Sequence, residues 1–455
     1  MVKITLEKKE YFVEKGTPLS AFLQQNGFAV SHPCGGKGTC GKCTVTVNGR
    51  QELSCRYLVE EDIAVELPQK EEILSLAQEG QGESIGFLAL DLGTTTLALA
   101  EVSAEGEPLA PKTATNPQRR FGADVISRIE YAAKNGVEDL QTVLLEELSA
   151  LLQGREESAL YVAGNTTMLH LLLGEDPSAM GVAPYTPVFL EEQRRKLPLP
   201  VAEIITLPGV SAFVGADIVA GLLALEPPAE GKYNLLVDLG TNAEIVLYSE
   251  KEALCTAAAA GPCFEGANIT CGMSAVPGAI AVYSEQGYQT VGDRAPIGLC
   301  GTGLIDLIAT LVRQEIIDET GYLEEDFTVA PGVRLTPGDV RNFQLAKAAV
   351  FAAILALMKQ AGVGYEQIDR LWLAGGFSAS VNRDNAAEVG LLPAALKDKV
   401  ASAGNSSLRG AARYAAGAAL PAFLQNARYV DLSADGIFAE LFMENMEFGG
   451  KFTSL

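Results

Sequence analysis

The first residues alternate between apolar and polar. Val2, Ile4 and Leu6 share one face, and Tyr11 and Val13 resume the alternation after the charged turn Glu7-Lys8-Lys9-Glu10. A period of two predicts half-buried strands. Thr17 then reads as a helix N-cap with Pro18 at the first helical position, ahead of Leu19, Phe22 and Leu23. A further strand is predicted at Thr44-Val45-Thr46-Val47, ended by an Asn48-Gly49 turn. Residues 1–70 are thereby expected to form one small α+β domain, and residues 71–85, within a stretch rich in Glu, Gln and Gly, a linker.

From Gly86 the pattern changes. Phe87 to Val102 reads as an apolar strand, a tight Asp91-Leu92-Gly93-Thr94 turn and a second apolar strand. The same pattern returns at Leu235-Leu236-Val237-Asp238-Leu239-Gly240-Thr241, followed by Ile245-Val246-Leu247. An internal repeat of this kind predicts two related α/β lobes facing each other across a cleft. Lobe I is placed at 86–230 and lobe II at 231–455, with helices at Gly122–Lys134, Asp139–Leu152, Gly303–Arg313, Gln344–Ala361 and Ser407–Leu420.

Composition narrows the function. At 455 residues there is room for about three domains. No apolar run reaches the roughly 18 to 20 residues that span a bilayer, and the chain opens on a strand, so a cytoplasmic location is expected. A net charge of −23 weighs against nucleic acid, which needs clustered Lys and Arg, and against a membrane surface. Eight cysteines in such a chain point to metal binding or buried thiols before disulfides. With His32 and His170 alone available, histidine-rich metal sites are not expected.

Four of the cysteines have a pattern. Cys34, Cys40, Cys43 and Cys55 give C-x5-C-x2-C-x11-C, a close trio with one more distant thiolate, the plant-type arrangement of a [2Fe–2S] cluster with a shortened last interval. Gly35, Gly36, Gly38 and Gly41 let successive amides turn inward to the anionic cluster. Structural zinc prefers two CxxC-like knuckles, and only Cys40–Cys43 qualifies. Cys255, Cys263, Cys271 and Cys300 lie in wide apolar settings and read as buried thiols. His32 is a neighbouring hydrogen-bond donor or inert.

Each Asp-Leu-Gly-Thr turn offers a carboxylate, backbone amides and hydroxyls, the components that wrap phosphates and position Mg²⁺. Gly93, Thr94, Thr95 and Thr96 are assigned to phosphates from one side, and Gly240, Thr241 and Asn242 from the other. Asp91 and Asp238 are expected to face the metal. Glu244 either orients the attacking water or is a solvent-facing strand residue. Gly375, Gly376 and Phe377 end a predicted strand in a small-residue turn against which an adenine ring can lie.

The order phosphate-1, phosphate-2, adenosine resembles the acetate and sugar kinase, Hsp70 and actin superfamily. With a ferredoxin-like (β-grasp) domain in front, the whole chain resembles the reductive activators of corrinoid proteins. The likeness runs through Asn116-Pro117-Gln118, Gly122 to Arg128, Gly164-Asn165-Thr166-Thr167-Met168, Gly261 to Ala267, Gly301-Thr302-Gly303 and Gly404-Asn405-Ser406-Ser407-Leu408. It implies a two-lobed actin-like ATPase that binds ATP and Mg²⁺. It further implies that ATP drives an electron from the cluster to an inactive Co(II) corrinoid protein, restoring Co(I). An upstream low-potential donor would recharge the cluster. Asp217 stands where related sugar kinases place a catalytic aspartate, and equally where a helix over Ile218 to Leu225 would be capped. Members of the family carry a middle domain that supports dimerisation. Here only a short linker follows the cluster domain, so the chain is expected to be a short form without it, with a homodimer in doubt.

Other functions are a small-molecule kinase with a redox-regulatory domain, and an activator of a different low-potential enzyme. Activators of the second kind hold a [4Fe–4S] cluster on cysteines of the ATPase lobe, whereas the cysteine pattern here is N-terminal. A non-catalytic scaffold leaves both the cysteines and the paired turns unexplained.

Overall fold

The computed structural model describes residues 1–6, 9–26, 28, 30, 43–67, 82–376, 380–433 and 435–448. His32, Cys34, Cys40, most of the linker and Phe377 lie outside the described residues.

Among its described residues the N-terminal domain is a mixed sheet with one helix laid on it. Its strands are β1 (Val2–Leu6), β2 (Lys9–Val13), β3 (Thr44–Val47), β4 (Arg50–Leu53) and β5 (Ile63–Glu66), in the order β2-β1-β5-β3-β4. Helix α1 (Leu19–Gln25) buries Leu19, Phe22 and Leu23 against Ile4, Leu6, Val45, Val47, Ile63 and Val65. Its N-cap is Pro18 rather than Thr17, whose hydroxyl donates to Glu14 O. Asn48 and Gly49 both have positive φ, 49° and 79°, as a two-residue hairpin requires.

The second sheet contains β6 (Ser84–Leu92), β7 (Thr96–Ser103), β8 (Pro108–Thr115), β9 (Ala159–Gly164), β10 (Gln193–Arg195) and β11 (Glu203–Thr206). Its order is β8-β7-β6-β9-β11-β10. Helices α2 (Val125–Asn135), α3 (Glu138–Leu151) and α4 (Thr166–Leu173) belong to this lobe, and α5 (Ala216–Ala224) leads out of it. The third sheet, from β12 (Tyr233–Leu239), β13 (Ala243–Tyr248), β14 (Ala253–Ala258), β15 (Ile368–Ala374), β16 (Val400–Gly404) and β17 (Ala427–Tyr429), runs β16-β15-β12-β13-β14-β17. In both sheets the opening hairpin and its third strand lie on one side of the first strand. Two parallel strands reached by crossovers lie on the other. The repeated motif is therefore a repeated topology.

Helices α6 (Gly301–Arg313) and α7 (Pro337–Ala361) fill the core of the second lobe. Helix α7 starts earlier than its periodicity predicts, because Thr336 and Asp339 form a capping box with Pro337 at the first position. By length and composition it could cross a membrane, yet 83% of that apolar window is buried inside the protein. Charged residues interrupt the run, which hid the helix from a count of consecutive apolar positions.

Two helices join the lobes. Helix α8 (Ser406–Ala415) follows a strand of the third sheet but packs Leu408, Ala411, Ala412 and Ala415 into the core of the first lobe. It stops short of the predicted Leu420, since Gly417 turns the chain at φ 90°. Helix α5 is two-sided: Ala216 and Ala220 face the first lobe's core, Ile218 and Leu222 the second's. The two helices cross closely at Gly410, where a Cβ would lie 1.7 Å from Ala220 O.

Candidate functional site

Asp91 is the penultimate residue of β6 and Asp238 of β12, so the duplicated topology places them at corresponding strand ends. Both remain half-buried, as do Asp217 and Glu244. Asp91 accepts hydrogen bonds from Asn405 Nδ2 (3.0 Å) and Ser407 Oγ (2.8 Å), groups presented by the start of α8. Asn405 is also the α8 N-cap, accepting from Leu408 N–H. One residue thus starts the helix and orients the aspartate.

Glu244 is the direct register partner of Asp238 on the neighbouring strand. It does not stand alone on a solvent-facing strand surface, since the charges of Asp217 and Asp238 both act on it. Asp217 is not the helix cap: Gly215 holds that position, and Asp217 accepts from Ile218 N–H at 2.9 Å within the first turn of α5. Gly215 is required there, because a Cβ would lie 2.5 Å from Asn165 Cα.

Burial is the first cause of the shift at each acid, and like charge adds to it at Asp217, Asp238 and Glu244. Asp217 is pushed up to about 7 by burial, with Asp91 adding to the shift. Asp238 is also pushed up to about 7, by burial and then by Asp217, Asp91 and Glu265. Glu244 is raised well above the usual carboxylate range. Asp91 is raised by burial against the opposing hydrogen bonds from Ser407 and Asn405. A set of acids that depress one another's ionisation calls for a cation. Among the described residues, no three such side chains converge tightly enough to hold a metal directly. That fits Mg²⁺, which is held through one or two carboxylates, waters and substrate phosphates rather than in an all-protein cage.

Glu265 was not among the predicted site residues. It belongs to the short helical turn Pro262–Glu265, accepts from Thr241 Oγ1 at 3.0 Å, and is raised by burial. Its sequence position, far from either turn, gave no periodic signal.

The turns themselves are closed by backbone bonds. Gly93 N–H donates to Thr96 O at 3.0 Å, and Gly240 N–H to Asn242 O at 2.9 Å. At Gly93 a Cβ would meet Thr96 O at 2.6 Å, so the turn requires glycine. Thr94 Oγ1 accepts from Asn165 Nδ2 (2.9 Å), and Asn116 Nδ2 donates to Gly93 O (2.8 Å). Gly375, at φ 97°, brings the end of β15 against β12: a Cβ there would lie 2.5 Å from Leu239 O and 3.2 Å from Asp238 Oδ1. Gly376 has open space around it. The predicted adenosine turn therefore abuts the Asp238–Gly240 turn.

In the N-terminal domain the thiols of Cys43 and Cys55 lie 3.2 Å apart, both unbridged. Two sulfurs this close, one buried and one half-buried, suit a shared metal ion.

Comparison with known proteins accounts for both ends of the molecule. Residues 4–82 match the 2Fe-2S iron-sulfur cluster binding domain, 86–227 the RACo middle region, and 232–454 the C-terminal domain of RACo, the ASKHA domain. The corrinoid activation enzyme RamQ of Eubacterium limosum is 31% identical over 419 residues, covering 80% of this chain and 70% of RamQ. The chain belongs to the family of reductive activators of corrinoid proteins. The [Co(II) methylated amine-specific corrinoid protein] reductase of Methanosarcina barkeri is 26% identical over 373 residues, 70% of this chain and 68% of that one. A solved structure of a reductive activator for corrinoid, iron-sulfur protein superposes with a TM-score of 0.69 at 27% identity, covering 98% of both chains.

This activator is not the expected short form. The middle region is present at 86–227, the stretch that carries the sheet β8-β7-β6-β9-β11-β10. Its opening hairpin has the same motif and topology as the ASKHA domain, so in sequence it read as the first ATPase lobe, leaving no separate middle domain to find.

Proposed function

We propose that this activator uses ATP to drive one electron from its [2Fe–2S] cluster to the Co(II) corrinoid of a partner protein, regenerating Co(I). One observation carries the reading. Asp91 acts on Asp217 and Asp238, and these two act on Glu244, in a chain whose first domain brings Cys43 and Cys55 together. Cys34, Cys40, Cys43 and Cys55 would hold the cluster, which supplies the one-electron carrier. Asp91 and Asp238 would hold Mg²⁺ through water, supplying charge to the bound phosphates.

Thr94, Thr95 and Thr96 with the Gly93 turn, and Thr241 and Asn242 with the Gly240 turn, bind the phosphates from two sides. Gly375, Gly376 and Phe377 bind adenosine. In hydrolysis the oxygen of water attacks the γ-phosphorus as the bond to the β–γ bridging oxygen breaks. Glu244 or Asp217 accepts the proton of that water, and Asp217, raised to about 7, is matched to that task.

Nucleotide binding closes the lobes about the α5–α8 crossing and alters how the corrinoid protein docks. Moving a two-state equilibrium from 1:99 to 99:1 takes about 5.5 kcal/mol of differential binding. For one electron this corresponds to roughly 240 mV, at about 59 mV per tenfold. That is enough to make an uphill transfer workable. An upstream low-potential donor recharges the cluster, and all of this takes place in the cytoplasm.

Burial pushes the Cys255 and Cys263 thiols up to about 12, the setting of buried thiols rather than of thiolate ligands. The test is anaerobic mixing with a Co(II) corrinoid protein. ATP should speed the appearance of Co(I) absorption, and the corrinoid protein should stimulate hydrolysis. Failure of both overturns the proposal.

A further inference from the structure

Arg128, on the first turns of α2, is completely shielded from solvent. Its guanidinium donates to Thr94 O (2.6 Å), Gly122 O (2.9 Å), Gln118 Oε1 (3.3 Å) and Met168 Sδ (3.0 Å). All four acceptors are neutral. Among the described residues the acid that acts on it is Asp124, whose carboxylate is engaged in capping α2 through Ser127 N–H. A cation taken out of water without a contacting anion is strongly unfavourable unless some partner compensates it. Burial draws the group down to about 9, which still leaves it charged at neutral pH.

The local sequence enforces this placement. The Asp124–Ser127 capping box starts α2, and Gly122 leaves the space that a Cβ would take from Arg128 N, 2.8 Å away. The shortest of the four bonds runs to the phosphate-1 turn. In a trans peptide the C=O and N–H point in opposite directions. With Thr94 C=O held against Arg128, the N–H of Thr95 faces away from it. The peptide dipole and the cation behind it then add, and both favour an anion in front of the turn.

We propose that Arg128 is a positioning residue of the nucleotide site, whose buried charge is completed by the phosphates of bound nucleotide acting across the Thr94–Thr95 peptide. This rests on the reading that ATP binds at the paired turns. The charge argument separates Arg128 from a purely structural residue: its effect must grow with the number of phosphates on the ligand.

The experiment measures binding of adenosine, ADP and ATP, each with Mg²⁺, to the full chain and to its Arg128→Gln and Arg128→Lys variants by anaerobic calorimetry. Arg128→Gln should weaken ATP by roughly 10- to 30-fold, ADP by less, and adenosine by under about 3-fold. Arg128→Lys keeps the charge but loses the fork, and should fall between the wild type and Arg128→Gln for ATP. Equal losses for all three ligands, or none, overturn the proposal while leaving the nucleotide site standing. If Arg128→Gln does not fold, Arg128→Lys decides: a loss confined to the phosphorylated ligands supports the proposal, and an equal loss for adenosine overturns it. Absence of ATP binding to the unaltered chain overturns both this proposal and the reading of the site.

Discussion

Asp238 and Glu244 are direct register partners across the β12–β13 pair, two acids where a sheet ordinarily places compatible side chains. Both carboxyls are raised, burial being the first cause and neighbouring charge the second. Two facing acids of this kind cost stability in the nucleotide-free chain.

Asp238→Asn should therefore separate stability from activity. Removing one of the facing charges is expected to stabilise the nucleotide-free protein at pH 8 by about 1 kcal/mol, roughly 1 °C in melting temperature for a body of this size. ATP hydrolysis should fall by roughly 100-fold or more. Calorimetric melting and phosphate release check the two halves. A destabilised variant would contradict the charge argument.

The same acids set a pH dependence. Asp217 and Asp238 rise from 3.8 to about 7 on folding, so within that window the folded chain binds more protons than the unfolded one. Their contribution to stability therefore falls as pH rises from about 4 to 7 and is at its least favourable above that. Mg²⁺ competes with those protons, so its affinity with ATP should increase between pH 6 and pH 8. Titration in buffers of different ionisation enthalpy should show proton release on binding. Asp238→Asn should release fewer protons than the wild type.

Cys55→Ala should abolish the visible spectrum of the [2Fe–2S] cluster while ATP binding persists, because Cys43 and Cys55 pack in a core separate from those of the lobes. An intact spectrum in that variant would remove Cys55 from the ligand set.

Neighbouring glycines should behave differently. Gly375→Ala forces a side chain into φ 97° and against Leu239 O, and is expected to cost about 1 to 3 kcal/mol of stability. Gly376→Ala meets nothing within 4 Å. It should leave the melting temperature unchanged and weaken ATP only if adenosine lies on this turn. Paired melting and binding curves distinguish the two effects.

The parts of this molecule legible in sequence were those carried by local pattern. The repeated Asp-Leu-Gly-Thr turn foretold two sheets of one topology, and alternation at Val2, Ile4 and Leu6 foretold β1. Glu265 reaches Thr241 only through tertiary folding, and Asn405 and Ser407 reach Asp91 from the far end of the chain. Those partners lay within recognised family stretches, yet no spacing rule assigns them a role. The middle region was misread for the opposite reason: its pattern was so clear a copy of the ASKHA hairpin that nothing marked it as distinct. Asp217 could be read as a cap because its carboxylate does accept a helix amide, from Ile218, inside the first turn.

Helix α8 carries a consequence for the order in which the protein matures. It supplies Leu408 and Ala411 to the first lobe's core and two donors to Asp91, although it is synthesised after most of the second lobe. The cysteine domain can leave the ribosome and fold early, since domains generally form as units from the N-terminus. The Asp91–Thr96 turn, by contrast, waits for the last part of the chain to return to Asp91. A nascent or truncated chain ending before Asn405 therefore holds an electron carrier without a completed ATP gate.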